Sequence, residues 1–268
     1  MFVRIWAGVA ATFVVSHAIV EAQLSNTLWT SWPPLAVRSP YLSAWLNMID
    51  SSPDPNTIHR WPTFFSNSSG FLGLGGNIRV DNKPDPVYSW SGAGAPNATT
   101  VVNLQITPTR TIMTLTAGPV DLNVTFLSPI EPADPVAQSF PVSYISLTAW
   151  SNDGQPHAVQ VYCDLSGEWL SGTRSQSMDW NATTAGPVIF HEAFLLSPQP
   201  FSESSGQAED ATLYFASLKT QQTTWQADTA PSARSQFQDK GILKNSIQPG
   251  PAVILEYVAV LSLHAIKL

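Results

Sequence analysis

The side chains most able to do chemistry are gathered in Asp164-Leu165-Ser166-Gly167-Glu168-Trp169, with Arg174 shortly after. Two carboxylates beside a tryptophan could flank a glycosidic bond, because sugar hydrolysis needs an acid and a base facing each other across the ring. The same residue types at a strand end also suit a structural ion pair with Arg174. Spacing alone does not choose between the two. Arg38, Arg60, Trp61 and Trp90 could line a surface cleft, although tryptophan in a β-rich domain usually packs in the core or at its rim.

Other reaction machinery fails on spacing. There is no Gly-x-Ser-x-Gly nucleophile elbow. His59, His157, His191 and His264 are not paired one helical turn apart, and with the single cysteine Cys163 they form no recognisable cage, so no metal and no cofactor is expected. Gly73-Leu74-Gly75-Gly76 lacks the third glycine of a dinucleotide loop and reads as a flexible turn. One cysteine permits no internal disulfide, and Cys163 reads as a small apolar core residue.

Composition narrows the class of protein. Hydrophobic residues make up 44% of the 268 residues and charged residues only 12%, so Ser, Thr, Asn and Gln must supply most of the polar surface. The formal net charge is -7 and no Lys/Arg run occurs, which removes nucleic acid as a partner. Arg4, the apolar run Ile5 to Val15 and the small residues of Val20-Glu21-Ala22 form a secretory leader pattern, with cleavage expected after Ala22. That run falls short of the ~20 residues needed to cross a bilayer, so no membrane span is expected. Four Asn-x-Ser/Thr triplets, at Asn67, Asn97, Asn123 and Asn181, fit N-glycosylation of a secreted, extracellular protein.

Strands must position these residues. From Val120 to Phe126 apolar and polar residues alternate, which predicts a half-buried strand with Asn123 on its polar face. Thr111 to Ala117 is a second strand, joined to it through Gly118-Pro119. Val142 to Trp150 follows, with Ile145, Leu147 and Ala149 inward. Past the turn Ser151-Asn152-Asp153-Gly154 comes a strand with Val159, Val161, Cys163 and Leu165 inward. Further strands are expected over Pro187 to Phe194, Thr212 to Leu218 and Val253 to Leu263. One short helix is expected after Ser39 and Pro40, with Leu42, Trp45 and Leu46 on one face. The sum is an all-β fold, an antiparallel β-sandwich with short irregular helical turns.

Several stretches resemble the N-terminal region of fungal glutaminase A-like proteins. They are Pro34 to Leu42, Trp61-Pro62-Thr63-Phe64-Phe65, Ile78-Arg79-Val80-Asp81, Val120 to Pro129, Asp164 to Trp169, Phe201-Ser202-Glu203 and Gln207-Ala208-Glu209, and together they run through most of residues 33 to 247. The resemblance implies a supersandwich-like N-terminal module, a helical toroid beyond it that carries the catalytic groups, and the conversion of L-glutamine to L-glutamate and ammonia. It stops near Gly241 to Ser246. The implied organisation is a signal peptide over 1–22, a β-sandwich domain over 23–248 and a divergent segment over 249–268, the toroid being absent. No catalytic residue transfers. Arg38, Trp61, Asp164, Glu168, Trp169 and Arg174 remain as cleft or interface residues.

A rival reading is a secreted carbohydrate-binding module whose exposed tryptophans stack on sugars. It depends on Trp29, Trp32, Trp61, Trp90, Trp169, Trp180 and Trp225 being open to solvent. Peptide mapping of protein secreted from a eukaryotic host, with and without glycosidase, should find a mature chain starting near Gln23 and a glycan on Asn123. An unmodified Asn123 would count against both the compartment and the strand register.

Overall fold

Alternating burial is the local rule that builds the sheets. Along Val120–Leu127 every second residue is buried, and the same holds from Thr111 in its hairpin partner Arg110–Ala117, with Ala117 opposite Val120. The apolar set therefore faces one way on both strands, which fixes their register.

The protein is described by a computed structural model covering residues 2–5, 32–41, 43–48, 60–65, 70–81, 87–92, 94–254 and 257–267. In chain order the strands are β1 (Phe2–Ile5), β2 (Pro34–Ala36), β3 (Ala44–Trp45), β4 (Leu74–Val80), β5 (Val87–Ser91), β6 (Asn97–Ala98), β7 (Thr100–Ile106), β8 (Arg110–Ala117), β9 (Val120–Leu127), β10 (Tyr144–Ser151), β11 (Ala158–Ser166), β12 (Ser177–Ala185), β13 (Val188–Leu195), β14 (Glu203–Ser204), β15 (Gln207–Ala208), β16 (Thr212–Leu218), β17 (Thr224–Thr229), β18 (Ser246–Ile247), β19 (Ala252–Val253) and β20 (Tyr257–Lys267). Two short helices accompany them, α1 (Pro135–Ser139) and α2 (Ala230–Lys240), with a 3-10 turn at Gly167–Trp169.

The strands form an all-β, mainly antiparallel sandwich. A nine-stranded sheet runs β19-β12-β13-β16-β1-β10-β9-β8-β7, and a seven-stranded sheet runs β18-β17-β20-β11-β4-β5-β6. The four residues of β1 lie parallel to both β10 and β16, and they join the two halves of the larger sheet. Of the expected leader, Phe2–Ile5 thus pairs within the sheet, and residues 6–22 lie outside the described residues. Residues 257–267 pair on both sides, with β11 and with β17.

The core lies between the sheets, with Leu115, Leu122, Val124 and Phe126 from one and Leu74, Ile78, Val161 and Leu165 from the other. β11 departs from simple alternation. Val159, Val161, Cys163 and Leu165 face this core as the sequence predicts, but Tyr162 and Asp164 are buried as well. The cause is α2, which covers the outer face of β11. It packs Phe237 on Tyr162 with ring centroids 5.0 Å apart, and Ala233 one turn earlier joins the same cluster. α2 begins with a proline in its first turn and ends at Gly241, whose left-handed φ of 70° lets its N–H reach the Phe237 carbonyl at 2.7 Å. Burial also raises the Cys163 thiol pKa, which disfavours the thiolate form.

Two sequence expectations are overturned. Gly73 to Gly76 is not a flexible turn, because residues 74–76 open β4, a fully buried strand paired with β11 and β5. The glycines serve close approach: a Cβ on Gly75 would strike the Asp164 carboxylate, and one on Gly76 the ring of Trp90. No helix forms after Ser39 and Pro40 either, since the chain bends and returns as the β2–β3 pair. Trp45 and Thr63 then exchange backbone hydrogen bonds of 2.9 and 2.8 Å, drawing that segment into extended pairing in place of helix.

His191 is an anomaly in this core. It points inward from β13 between Ile189 and Ala193, lies edge-on to Trp225 at 5.6 Å, and neither ring nitrogen has a hydrogen-bond partner. Burial lowers its pKa to about 4. The folded value lies below the unfolded one of ~6.5, so the unfolded chain takes the proton first and stability falls as pH drops from about 6.5 toward 4. His191→Leu should remove that loss. In urea titrations the gap between the variant and the natural chain should widen by about 3 kcal/mol between pH 7 and pH 4, and a constant gap would mean the ring is hydrated.

Candidate functional site

The carboxylate-rich stretch singled out from the sequence lies at the end of β11, where the strand runs into the Gly167–Trp169 turn beneath the start of α2. Asp164 is completely buried and is held from two sides. Arg234 of α2 donates through Nε to Oδ2 and through Nη2 to Oδ1, both at 2.8 Å, and the backbone N–H of Gly75 on β4 donates to Oδ1 at 3.1 Å. A fork-on-fork contact of this kind fixes direction as well as distance. Burial alone would lower the Arg234 pKa, but the adjacent Asp164 raises it overall and keeps the guanidinium charged.

Trp61 closes the outer side. Its ring lies 4.6 Å from the Arg234 guanidinium carbon, a cation–π contact, and 5.8 Å from the Phe71 ring. The structure thus brings Trp61 and Asp164 together through a residue 70 positions along the chain.

Glu168 sits one turn beyond. It is buried, and its carboxylate accepts a hydrogen bond from the Ser166 hydroxyl. Burial raises its pKa to about 7, so it is partly protonated at neutral pH. Arg174 does not form a bidentate pair with either carboxylate. Its guanidinium donates to the backbone carbonyls of Phe71 at 3.2 Å, Glu168 and Ser171, which clamps the turn that carries Glu168. The Trp169 indole N–H donates to the Gly73 carbonyl at 2.8 Å. Behind them Ser171 donates to the Glu209 carboxylate at 2.8 Å, and Gln207 donates to the Glu168 carbonyl at 3.1 Å. Arg38 stands apart, donating to the Gln138 carbonyl of α1.

The sequence pattern therefore located Asp164, Glu168, Trp169 and Trp61, but it missed Arg234, and it marked Gln207 and Glu209 only as part of the family resemblance. No local signal marks Arg234, because α2 is largely polar and its partner lies on another element. An apolar groove of about 520 Å³ on the nine-stranded sheet, lined by Val142, Tyr144, Val188, Phe190 and Tyr214 among others, carries no carboxylate, imidazole or guanidinium among the described residues. Among the described residues no group of His, Cys, Asp and Glu could hold a metal ion.

Of the triplet asparagines, Asn181 is exposed on β12 and Asn97 is half-buried. Asn123 lies on the outer face of β9 as expected but is half-buried, accepting from Thr114 at 2.8 Å. Asn67 lies outside the described residues.

In this two-sheet sandwich the buried Asp164 carboxylate is held by a helix-borne arginine and by a strand glycine. The chain belongs to the family described as Domain of unknown function (DUF5127), which matches residues 109–264 and so includes Asp164, Glu168, Arg174 and Arg234. That match reaches well into the segment after residue 248.

Among individual proteins, the chain is 37% identical over 240 residues to Glutaminase A of Aspergillus oryzae (strain ATCC 42149 / RIB 40), covering 87% of this chain and 34% of that protein. It is 27% identical over 240 residues to Probable glutaminase/05536 of Arthroderma benhamiae (strain ATCC MYA-4681 / CBS 112371), covering 82% of this chain and 27% of that protein. The chain thus spans about a third or less of the curated relatives it matches.

Removing one partner of a buried ion pair leaves the other charge without compensation. Arg234→Met should therefore cost on the order of 3–5 kcal/mol in urea unfolding, and the double variant Asp164→Asn/Arg234→Met should recover much of that loss. Equal instability of the single and double variants would show that Arg234 acts by packing alone.

Proposed function

We propose that this chain is the non-catalytic N-terminal β-sandwich of a secreted glutaminase A-like hydrolase, whose family reaction converts L-glutamine to L-glutamate and ammonia. It supports a helical catalytic domain that lies outside these residues. A leader over 1–22 and glycans on the triplet asparagines belong to the same proposal.

The observation that carries it is the commitment of the charged side chains. Asp164 is used by Arg234 and Gly75, Glu168 by Ser166, and Arg174 by three carbonyls. Amide hydrolysis needs a nucleophile, a proton donor to the leaving amine and donors for the oxyanion. Here the candidate groups are spent on holding β4, β11, the following turn and α2 in fixed relation. That rigidity is what a site on a neighbouring domain requires of its support. The span of about a third of the glutaminase relatives fits the same division of labour.

The carbohydrate-binding reading draws less support. Trp90, Trp169 and Trp180 are buried, Trp32, Trp61 and Trp225 are half-buried, and Trp29 lies outside the described residues. None of the six described rings stands open as a sugar platform, and Trp150, 37% exposed on β10, offers a single ring.

An ammonia-release assay with glutamine, run beside the Aspergillus oryzae enzyme, should detect no turnover by this chain. Turnover comparable to that enzyme, abolished by Asp164→Asn or Glu168→Gln, would place the chemistry in the sandwich and overturn the proposal.

A further inference from the structure

At one end of the sandwich a single imidazole is shared between two carboxylates. His157 precedes β11, where the chain crosses from the nine-stranded to the seven-stranded sheet, and its ring is largely covered although near the surface. Nδ1 lies 2.7 Å from Asp81 Oδ2 and Nε2 lies 3.0 Å from Asp153 Oδ1. An ionised carboxylate only accepts hydrogen bonds, so both contacts are hydrogen bonds only when both ring nitrogens carry a proton. A neutral ring keeps one and turns a lone pair toward the other oxygen.

Each carboxylate is anchored in a different sheet. Asp81 follows β4 directly with a left-handed φ of 60°, accepts from the Ala158 N–H at 3.0 Å, and donates its own N–H to the Ala158 carbonyl at 2.8 Å. Asp153 sits in the β10–β11 turn and accepts from Ser151 at 2.9 Å and from the Gln155 N–H at 2.8 Å. The neighbouring Asn152 ties that turn to the β8–β9 hairpin, donating to the Pro119 carbonyl at 3.0 Å, the Gly118 carbonyl at 3.1 Å and Asp121 at 3.0 Å. The imidazole is therefore a bridge between the end of β4 in one sheet and the linked turns of the other.

We propose that His157 is a proton-operated latch across this end of the sandwich, closed while the ring holds two protons and half-released once it holds one.

The charges around the ring suit that role. Asp81 from the end of β4 and Asp153 from the turn face it directly, and Asp121 of β9 lies one residue's hydrogen bond further. The hydrogen bond donated to Asp153, then that donated to Asp81, raises the His157 pKa above its usual value. Asp153 is lowered to about 2 by the Gln155 N–H, His157 and Ser151. With the folded value above the unfolded one, the latch contributes fully below pH ~6.5 and is lost as pH rises through the folded value. This is opposite in sign to His191.

Nitrogen-resolved histidine NMR on the full chain tests the latch. At pH 6.5 both His157 nitrogens should be protonated while His191 is neutral, and the His157 midpoint should lie above the ordinary value. Asp81→Asn and Asp153→Asn should each lower that midpoint. Amide exchange over 118–121 and 151–158, corrected for the intrinsic rate, should lose protection in one step through the same midpoint. His157→Gln should lack the step and exchange rapidly throughout. A midpoint at or below the ordinary value, or a step that survives in His157→Gln, overturns the proposal. The two asparagine variants decide it even if His157→Gln does not fold.

Discussion

The contact between Asp164 and Arg234 is the constraint on which the rest of the arrangement depends. A carboxylate with no exposure to solvent is tolerable only if its charge is matched and its lone pairs are filled, and here one guanidinium and one strand N–H do both. To reach Asp164 the arginine must come from a helix lying across the outer face of β11, and to leave room for the carboxylate β4 must carry a glycine opposite it. The helix in turn brings Phe237 onto Tyr162 and makes β11 a strand buried on both sides. Ion pair, glycine and helix form one device, and altering any of them strands the others.

Around that device the polar groups are arranged to support one another. Arg174 clamps the turn that holds Glu168, and Trp169 and Gln207 fasten the same turn to β4 and to the β14–β15 loop. Trp61 covers the exposed side of Arg234 with its ring face. A low local dielectric strengthens such hydrogen bonds only when every member has a partner. Glu168 meets that condition by accepting from Ser166 rather than by pairing with a cation in bidentate fashion, whereas the buried Gln207 Oε1 has no hydrogen-bond partner.

What could be read from the residues followed from how local the cause was. The β8–β9 hairpin was legible because its alternation is complete within eighteen residues and one face is wet. β4 was misread because the reason for its glycines is Asp164 and Trp90, which no window around residue 75 contains. α2 escaped notice because only Ala233 and Phe237 are buried, too few apolar positions for a helical stripe. The expected helix after Ser39 failed for the converse reason. Its capping signals were local, but the competing partner was Thr63, eighteen residues beyond Trp45. Asp164 and Glu168 were found as a pair, yet their guanidinium was sought next door at Arg174, when strand-to-helix contacts of this length leave no spacing to detect.

The four residues of β1 hold the nine-stranded sheet together at its middle, since β10 and β16 meet only through them. Removal of residues 1–22 by a processing protease would therefore divide that sheet into two four-stranded ribbons, β10-β9-β8-β7 and β19-β12-β13-β16. Each ribbon would face a lane one strand wide, with the peptide groups of Tyr144 to Leu147 on one bank and those of Ala216 and Ser217 on the other, unpaired until some extended segment filled it. The maturation state of the chain, and not its core packing, would then set whether this half of the sandwich behaves as one elastic sheet or as two plates hinged across the opposite layer.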